Sequence, residues 1–189
     1  MKAPPGLRLT GGTAKGAKLF SIPGKDVRPA LARMRISLFE ILRPRLDGAR
    51  VVDLFAGTGS LGLEALSRGA AQALFLDADR RCLEAVGKNL EKLRFTERGR
   101  TLEADAFRAA ETLAPAEIAF VDPPYDFYVD RREEMRRLVE TLLARVIPDR
   151  EGRVVSEHRL KEGLEGVQGG RIVDERRYGD TVVTMYAKD

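Results

Sequence analysis

From Ala49 onward the chain alternates short apolar runs with amphipathic stretches. "ARVVDLF" (49–55) predicts a strand, and "SLGLEALSRG" (60–69) a helix stopped at Gly69. "ALFLDAD" (73–79) predicts a second strand and "DRRCLEAVGKNLEKL" (79–93) a second helix. "GRTLEAD" and "AFRAAETLA" make a third pair, and "AEIAFVDPPY" a fourth strand that ends in a loop. One long amphipathic helix is predicted over "DRREEMRRLVETLLARVI" (130–147), then a fifth strand over "GRVVSEH" (152–158). Two extended runs joined at Gly179-Asp180 end the chain. Before Gly48, "LRLTGGTAKGAKLF" predicts a β-hairpin around a Gly-rich turn. "LARMRISLFEIL" sets Leu31, Met34, Leu38, Ile41 and Leu42 on one helical face, with Arg33 and Arg35 off it.

Strands alternating with helices imply a parallel sheet with helices on both faces. The last two strands are too close for a helical crossover, so they form a hairpin and at least one is antiparallel. The expected fold is a Rossmann-like α/β domain: a mostly parallel seven-stranded sheet with a C-terminal antiparallel hairpin. A small hairpin-and-helix extension precedes it.

With 189 residues, 43% of them apolar, the chain can bury a core and is not a disordered segment. No apolar run approaches the roughly 20 residues of a membrane helix, and the first residues do not read as a secretory signal. One Cys and one His cannot build a metal cluster, so no metal is expected. Cys82, on a helical pattern, reads as a packing residue, and a reducing cytoplasm is the expected compartment. His158 reads as structural or surface.

The stretch "VVDLFAGTGSLG" matches G-x-G-x-x-G at Gly57, Gly59 and Gly62. Glycines between a strand and a helix let backbone N–H groups approach a ligand closely. Asp77 and Asp79 follow about 20 residues later, at a strand end where an acid accepts ribose hydroxyls. Asp53, four residues before Gly57, changes which nucleotide fits. A carboxylate there opposes a pyrophosphate and favours a cation. S-adenosylmethionine carries a sulfonium, an α-ammonium and no phosphate, so it fits better than a nicotinamide dinucleotide. Asp105, at the third strand end, either accepts from the adenine amino group or caps the next helix.

Asp122-Pro123-Pro124-Tyr125 follows the fourth strand directly. The two prolines stiffen the loop and remove two N–H donors. The Asp122 carboxylate and the Pro123 carbonyl are then acceptors for an exocyclic –NH₂, and the Tyr125 ring offers a stacking face.

"DLFAGTGSLGLEALSRGA", "LDAD" and "DPPY" resemble the class I amino-methyltransferases. With "GKDVRPALARMRISLFEIL" upstream and "RYGDTVVTMY" near the end, the match narrows to the RsmD family, over nearly the whole chain. The chain departs from that family in having Ala30 after Arg-Pro and Asp77 where Glu is common. The resemblance implies S-adenosylmethionine-dependent methylation of a guanine N2 in 16S ribosomal RNA, within a small-subunit particle. It implies a cofactor site at Asp53, Phe55, Gly57, Gly59, Asp77, Ala78, Asp105 and Ala106, and catalysis by Asp122, Pro123 and Tyr125. The division expected is a basic extension over 1–48 and a methyltransferase domain over 49–189.

Charge adds the partner. Residues 1–50 carry a net +8 and the rest −4. A basic segment on a mildly acidic body points to a polyanion. Lys15, Lys18, Lys25, Arg28, Arg33 and Arg35 are the expected RNA contacts. An adenine-N6 DNA or RNA methyltransferase shares the chemistry, but DNA enzymes of that type usually carry a sizeable target-recognition region. A non-catalytic cofactor- or RNA-binding protein is argued against by the intact Asp122 and Tyr125. A monomer is expected.

Overall fold

The structure, a computed structural model, describes residues 7–21 and 29–189. Its centre is a seven-stranded sheet of β1 (Arg50–Asp53), β2 (Gln72–Asp77), β3 (Gly99–Glu103), β4 (Ile118–Val121), β5 (Arg153–Arg159), β6 (Gly170–Tyr178) and β7 (Thr181–Lys188). The order is β3-β2-β1-β4-β5-β7-β6. Strands β1 to β5 pair in parallel. β7 runs antiparallel to both β5 and β6. The sheet therefore has the strand count and mixed pairing expected from the sequence.

The strands place alternate residues on opposite faces. Val51, Phe75, Phe120 and Val155 join one buried cluster with α1 (Pro29–Leu42), α2 (Ser60–Ser67) and α3 (Arg80–Leu93). Val52, Leu76, Ala119 and Val121 join the other, with α4 (Ala106–Ala109), α5 (Phe127–Asp130) and α6 (Arg132–Thr141). Both faces are covered, which is why these strands read as continuous apolar runs. Leu7, Leu9 and Leu19 enter the first cluster, so the N-terminal segment shares one core with the sheet.

Among the described residues the N-terminal hairpin is minimal: one antiparallel bridge, Arg8 with Lys18. Its turn docks on α2 instead of extending the ladder. Thr10 N–H and Oγ1–H both donate to Glu64 at 2.7 Å, and Ser67 Oγ donates to the Gly11 carbonyl at 2.7 Å. On α1, Met34, Leu38 and Leu42 are buried as expected and Ile41 partly so; the side chain of Leu31 lies outside the described residues. Phe39 is fully buried beside them.

The segment 127–147, which contains the helix expected over 130–147, is three pieces: α5, α6 and a π-helical turn over Leu142–Val146. Arg131 breaks the first junction with φ −125° and ψ 31°. That backbone lets its guanidinium lie over the rings of Phe107 and Phe127 and pair with Glu134. Periodicity alone carries no sign of such a break. The helix expected over 106–114 shrinks to α4 and tightens into i→i+3 turns, Glu111 N–H donating to the Arg108 carbonyl and Thr112 N–H to that of Ala109.

Gly62 faces the sheet so closely that a Cβ there would lie 2.3 Å from Phe75 Cε1. Gly62→Ala is therefore expected to destabilise the fold by roughly 1–3 kcal/mol. A thermal melt should show a midpoint lower by roughly 3–10 °C; an unchanged midpoint would mean that Phe75 yields freely.

Candidate active site

The strand order reverses between β1 and β4, and α/β sheets of this kind bind ligands in the crevice at that point. A pocket of about 740 Å³ opens there. Its wall runs along the carboxyl edge of the sheet, from Asp105 after β3 and Asp77 on β2, past Phe55, Ala56 and Gly57 after β1, to Asp122 and Pro123 after β4 and Glu157 on β5. Of the residues expected to hold the cofactor, Phe55, Gly57, Asp77, Ala78, Asp105 and Ala106 line it.

The glycines of the loop have different work. Gly57 and Gly59 take φ of 55° and 83°, the left-handed region open to glycine at little expense. Gly59 caps α2 and is not part of the pocket wall; Gly62 supplies the close approach to Phe75. Asp77 fixes the loop: its Oδ2 accepts from Gly57 N–H at 2.8 Å and its Oδ1 from Asp79 N–H at 2.9 Å. Each oxygen keeps a lone pair for a ligand hydroxyl. Asp79 lines the pocket too, but its side chain caps α3 through Arg81 N–H and pairs with the Arg81 guanidinium. Asp105 caps α4 through Arg108 N–H at 3.0 Å while remaining in the wall. Asp105 therefore caps α4 through Oδ1 and still lines the pocket, so the cap does not take it away from a ligand.

Asp53 departs from expectation. It is 1% exposed and absent from the wall, and its Oδ2 accepts from Gly62 N–H at 3.1 Å. Its carboxylate is turned to α2, whose first turn it holds through Gly62 N–H. Burial pushes its pKa up to about 7, with Gly62 N–H opposing and the charge of Asp77 adding to the rise. An acid with a raised pKa in the folded state binds a proton that the unfolded chain has released. Folding stability is therefore lost as pH rises from about 4 to about 7, and is flat above that. Asp53→Asn removes this dependence. The gap between variant and wild-type melting free energies should change by on the order of 3–5 kcal/mol across that window. Parallel pH profiles for the two proteins would show that Asp53 stays ionised.

With Asp77, Asp105 and the Pro-Pro loop, three rings that the sequence pattern did not single out together line the pocket. Phe55, Phe107 and Phe127 lie with centroids 6.0–6.1 Å apart, all in the wall. Arg131 covers the outer pair, 4.0 Å from the Phe107 centroid. Only Phe55 was expected. The other two each lie just past a strand end, Phe107 after Asp105-Ala106 and Phe127 after the Pro-Pro loop, and that position was the available signal.

The structure divides the expected catalytic residues. Asp122, Pro123 and Pro124 line the main pocket; Tyr125 does not, and instead lines a second cavity. Its hydroxyl donates to Glu157 Oε1 at 3.1 Å and shares a bond with Thr181 Oγ1 at 3.2 Å, which fixes the ring. Glu157, a nearly buried acid between Ser156 and His158 of β5, lines the main pocket and accepts from Tyr125, which lines the second cavity. His158 is buried, bonded to Thr184 Oγ1 and the Arg159 carbonyl, and plays a structural part.

The basic residues divide too. Lys15, Lys18 and Arg33 are exposed, whereas Lys25 and Arg28 lie outside the described residues. Arg35 is a correction. It is 3% exposed and forms part of the pocket wall, not an outer surface. Nη2 donates to the Arg8 carbonyl at 3.0 Å, while Nε and Nη1 are buried without a partner among the described residues. Burial lowers its pKa, opposed by the charges of Glu64 and Glu157. An apolar count along α1 cannot show this, because the partners come from α2 and β5. No helix among the described residues is long and apolar enough to cross a membrane.

Comparison with known proteins agrees with this architecture. The family model described as "Conserved hypothetical protein 95" matches residues 7–187. The Bacillus subtilis protein YlbH is 32% identical over 187 residues, covering 96% of this chain and 99% of its own. Ribosomal RNA small subunit methyltransferase D of Escherichia coli K12 is 39% identical over 120 residues, 63% of this chain and 60% of its own. The solved structure of yhhF from Escherichia coli superposes with a TM-score of 0.83 at 30% identity, over 97% of this chain and 98% of that one. The sheet, its switch-point pocket and these matches place the chain in the conserved hypothetical protein 95 family, the RsmD family of methyltransferases.

Proposed function

We propose that this protein moves the methyl group of S-adenosylmethionine to the exocyclic N2 of a guanine in 16S ribosomal RNA. The observation that carries this reading is one continuous pocket with nucleoside acceptors, Asp77 and Asp105, at one end and the Asp122-Pro123 acceptors at the other. A cofactor lying along it takes its ribose at Asp77 and its adenine near Asp105 and the Phe55–Phe107–Phe127 rings. The buried guanidinium of Arg35, between Glu64 and Glu157, meets the α-carboxylate, the one anionic group of that cofactor.

Transfer is a direct displacement. The N2 lone pair forms the new N–CH₃ bond as the S–CH₃ bond breaks, and its electron pair stays on sulfur. Guanine N2 is a weak nucleophile because its lone pair is drawn into the ring. Asp122 and the Pro123 carbonyl accept its two N–H groups and turn the lone pair toward the methyl carbon. Holding both reactants in line supplies several kcal/mol of the barrier reduction. The methylated nitrogen is acidic and releases its proton to Asp122 or water. Lys15, Lys18 and Arg33 serve the phosphates of the RNA, in a loop or single strand from which the base can leave its stack. A small-subunit particle and a monomeric enzyme in a reducing cytoplasm complete the picture. Radiolabelled methyl transfer to small-subunit RNA, with duplex DNA as the control substrate, tests it: label in RNA alone supports the reading, and label in DNA alone refutes it.

A further inference from the structure

A second cavity, of about 360 Å³, lies apart from the main pocket. It is bounded by Tyr125 in the loop after β4, by Arg159, Leu160 and Glu162 at the end of β5, and by Asp180 and Thr181 where β7 begins. Arg159 and Thr181 are register partners, so all of these residues gather at the same edge of the sheet as the main pocket. The Tyr125 ring is held by its hydroxyl, through Glu157 and Thr181. Over the ring lies the exposed guanidinium of Arg159, with Cζ 5.0 Å from the centroid. Among the described residues that guanidinium makes no ion pair and donates no hydrogen bond; the ring is its contact.

We propose that Tyr125 and Arg159 are the two leaves of a clamp for the target nucleobase, and that Arg159 occupies the base's place until RNA arrives. The proposal rests on the functional reading above and adds to it a specificity pocket and a residue which that reading does not use. A flat base inserted between two flat groups needs two contact layers, about 7 Å in all. The present 5.0 Å separation is too short, so Arg159 must swing outward by about 2 Å. A long exposed stem held by one stacking contact can do this.

Charge selects a base over a phosphate. Glu162 and Asp180 outnumber Arg159 in the lining, and two carboxylates repel a phosphate. Glu162 Oε2 is buried without a hydrogen-bond partner among the described residues, an acceptor suited to a base N–H. Guanine offers such donors along its N1 and N2 edge. Position agrees as well: Asp122 and Tyr125 are three residues apart, at most about 11 Å of chain. A base on the Tyr125 ring can therefore present its amine to Asp122. Arginine planes and aromatic rings are the usual partners of unstacked bases.

Two measurements on the intact protein decide the matter. Steady-state transfer to small-subunit RNA is compared for wild type, Arg159→Ala and Arg159→Lys, together with the affinity for S-adenosylmethionine. RNA binding by anisotropy is followed at several salt concentrations. Arg159→Ala should lower kcat/KM for RNA by about 5- to 150-fold, the range of one base–aromatic stack, with cofactor affinity unchanged. Arg159→Lys keeps the charge but loses the plane, and should be nearly as impaired. Wild-type rates in Arg159→Ala would overturn the clamp. So would full rescue by lysine, or a salt slope reduced by about 0.7–0.9 in Arg159→Ala, either of which marks a phosphate contact. A wild-type protein that binds RNA but transfers nothing would break the functional reading alone, with anisotropy still testing the clamp. One that neither binds nor methylates RNA overturns both.

Discussion

Asp122→Ala should lose about 10³-fold in kcat while binding S-adenosylmethionine as tightly as the wild type. Asp122 stands in the pocket wall at the β4 end, with Pro123 and Pro124 behind it. The prolines cannot donate hydrogen bonds, so the loop presents acceptors to an incoming amine. Removing one fixed polar group that stabilises the reacting geometry costs about 10²–10³ in rate. In the proposed pose the nucleoside of the cofactor meets other elements, Asp77 on β2 and Asp105 after β3, so its affinity should be insulated from the change. Asp122→Asn keeps one acceptor oxygen but adds two donors, and should fall between the two. Single-turnover transfer and calorimetric titration separate the effects. A variant that transfers at the wild-type rate would refute the acceptor geometry, and one that loses cofactor affinity in proportion would place Asp122 at the cofactor instead.

Arg35→Met should raise the dissociation constant for S-adenosylmethionine by about 10- to 150-fold, the worth of a buried hydrogen bond to a charged group. A buried guanidinium with Nε and Nη1 unpaired is a costly arrangement in the ligand-free protein. Methionine has a similar stem and removes that penalty, so the melting temperature should not fall. Decarboxylated S-adenosylmethionine completes a double-mutant cycle. Wild type should bind it about as weakly as Arg35→Met binds the full cofactor, and the variant should scarcely distinguish the two ligands. Equal discrimination by both proteins would show that Arg35 does not meet the carboxylate.

What the sequence discloses here is what local pattern can encode. The alternation of apolar strands and amphipathic helices yields the sheet because the central strands β1 and β4 are buried on both faces and helices such as α3 on one. The Gly57–Gly62 loop and the Asp122–Tyr125 loop are legible because each couples an unusual backbone demand to a strand end. The remainder depends on contacts between distant segments. Asp53 looks like a ligand contact by position, yet the turn into α2 brings Gly62 N–H to it and closes it off. Arg35 looks solvated on a helical projection, but Arg8, Glu64 and Glu157 converge on it from three elements. Tyr125 belongs to the predicted motif, but its hydroxyl is drawn toward β5 and β7, and its ring faces a different cavity from Asp122. The break at Arg131 follows from two rings, Phe107 and Phe127, that periodicity cannot place beside it.

The most direct test of the central claim is the identity of the product. Small-subunit RNA from cells lacking this activity, free or assembled into particles, is incubated with the protein and methyl-labelled S-adenosylmethionine, digested to nucleosides and resolved by mass spectrometry. The account predicts N2-methylguanosine as the single labelled nucleoside. Label in N6-methyladenosine, or in no nucleoside of either substrate, would contradict it.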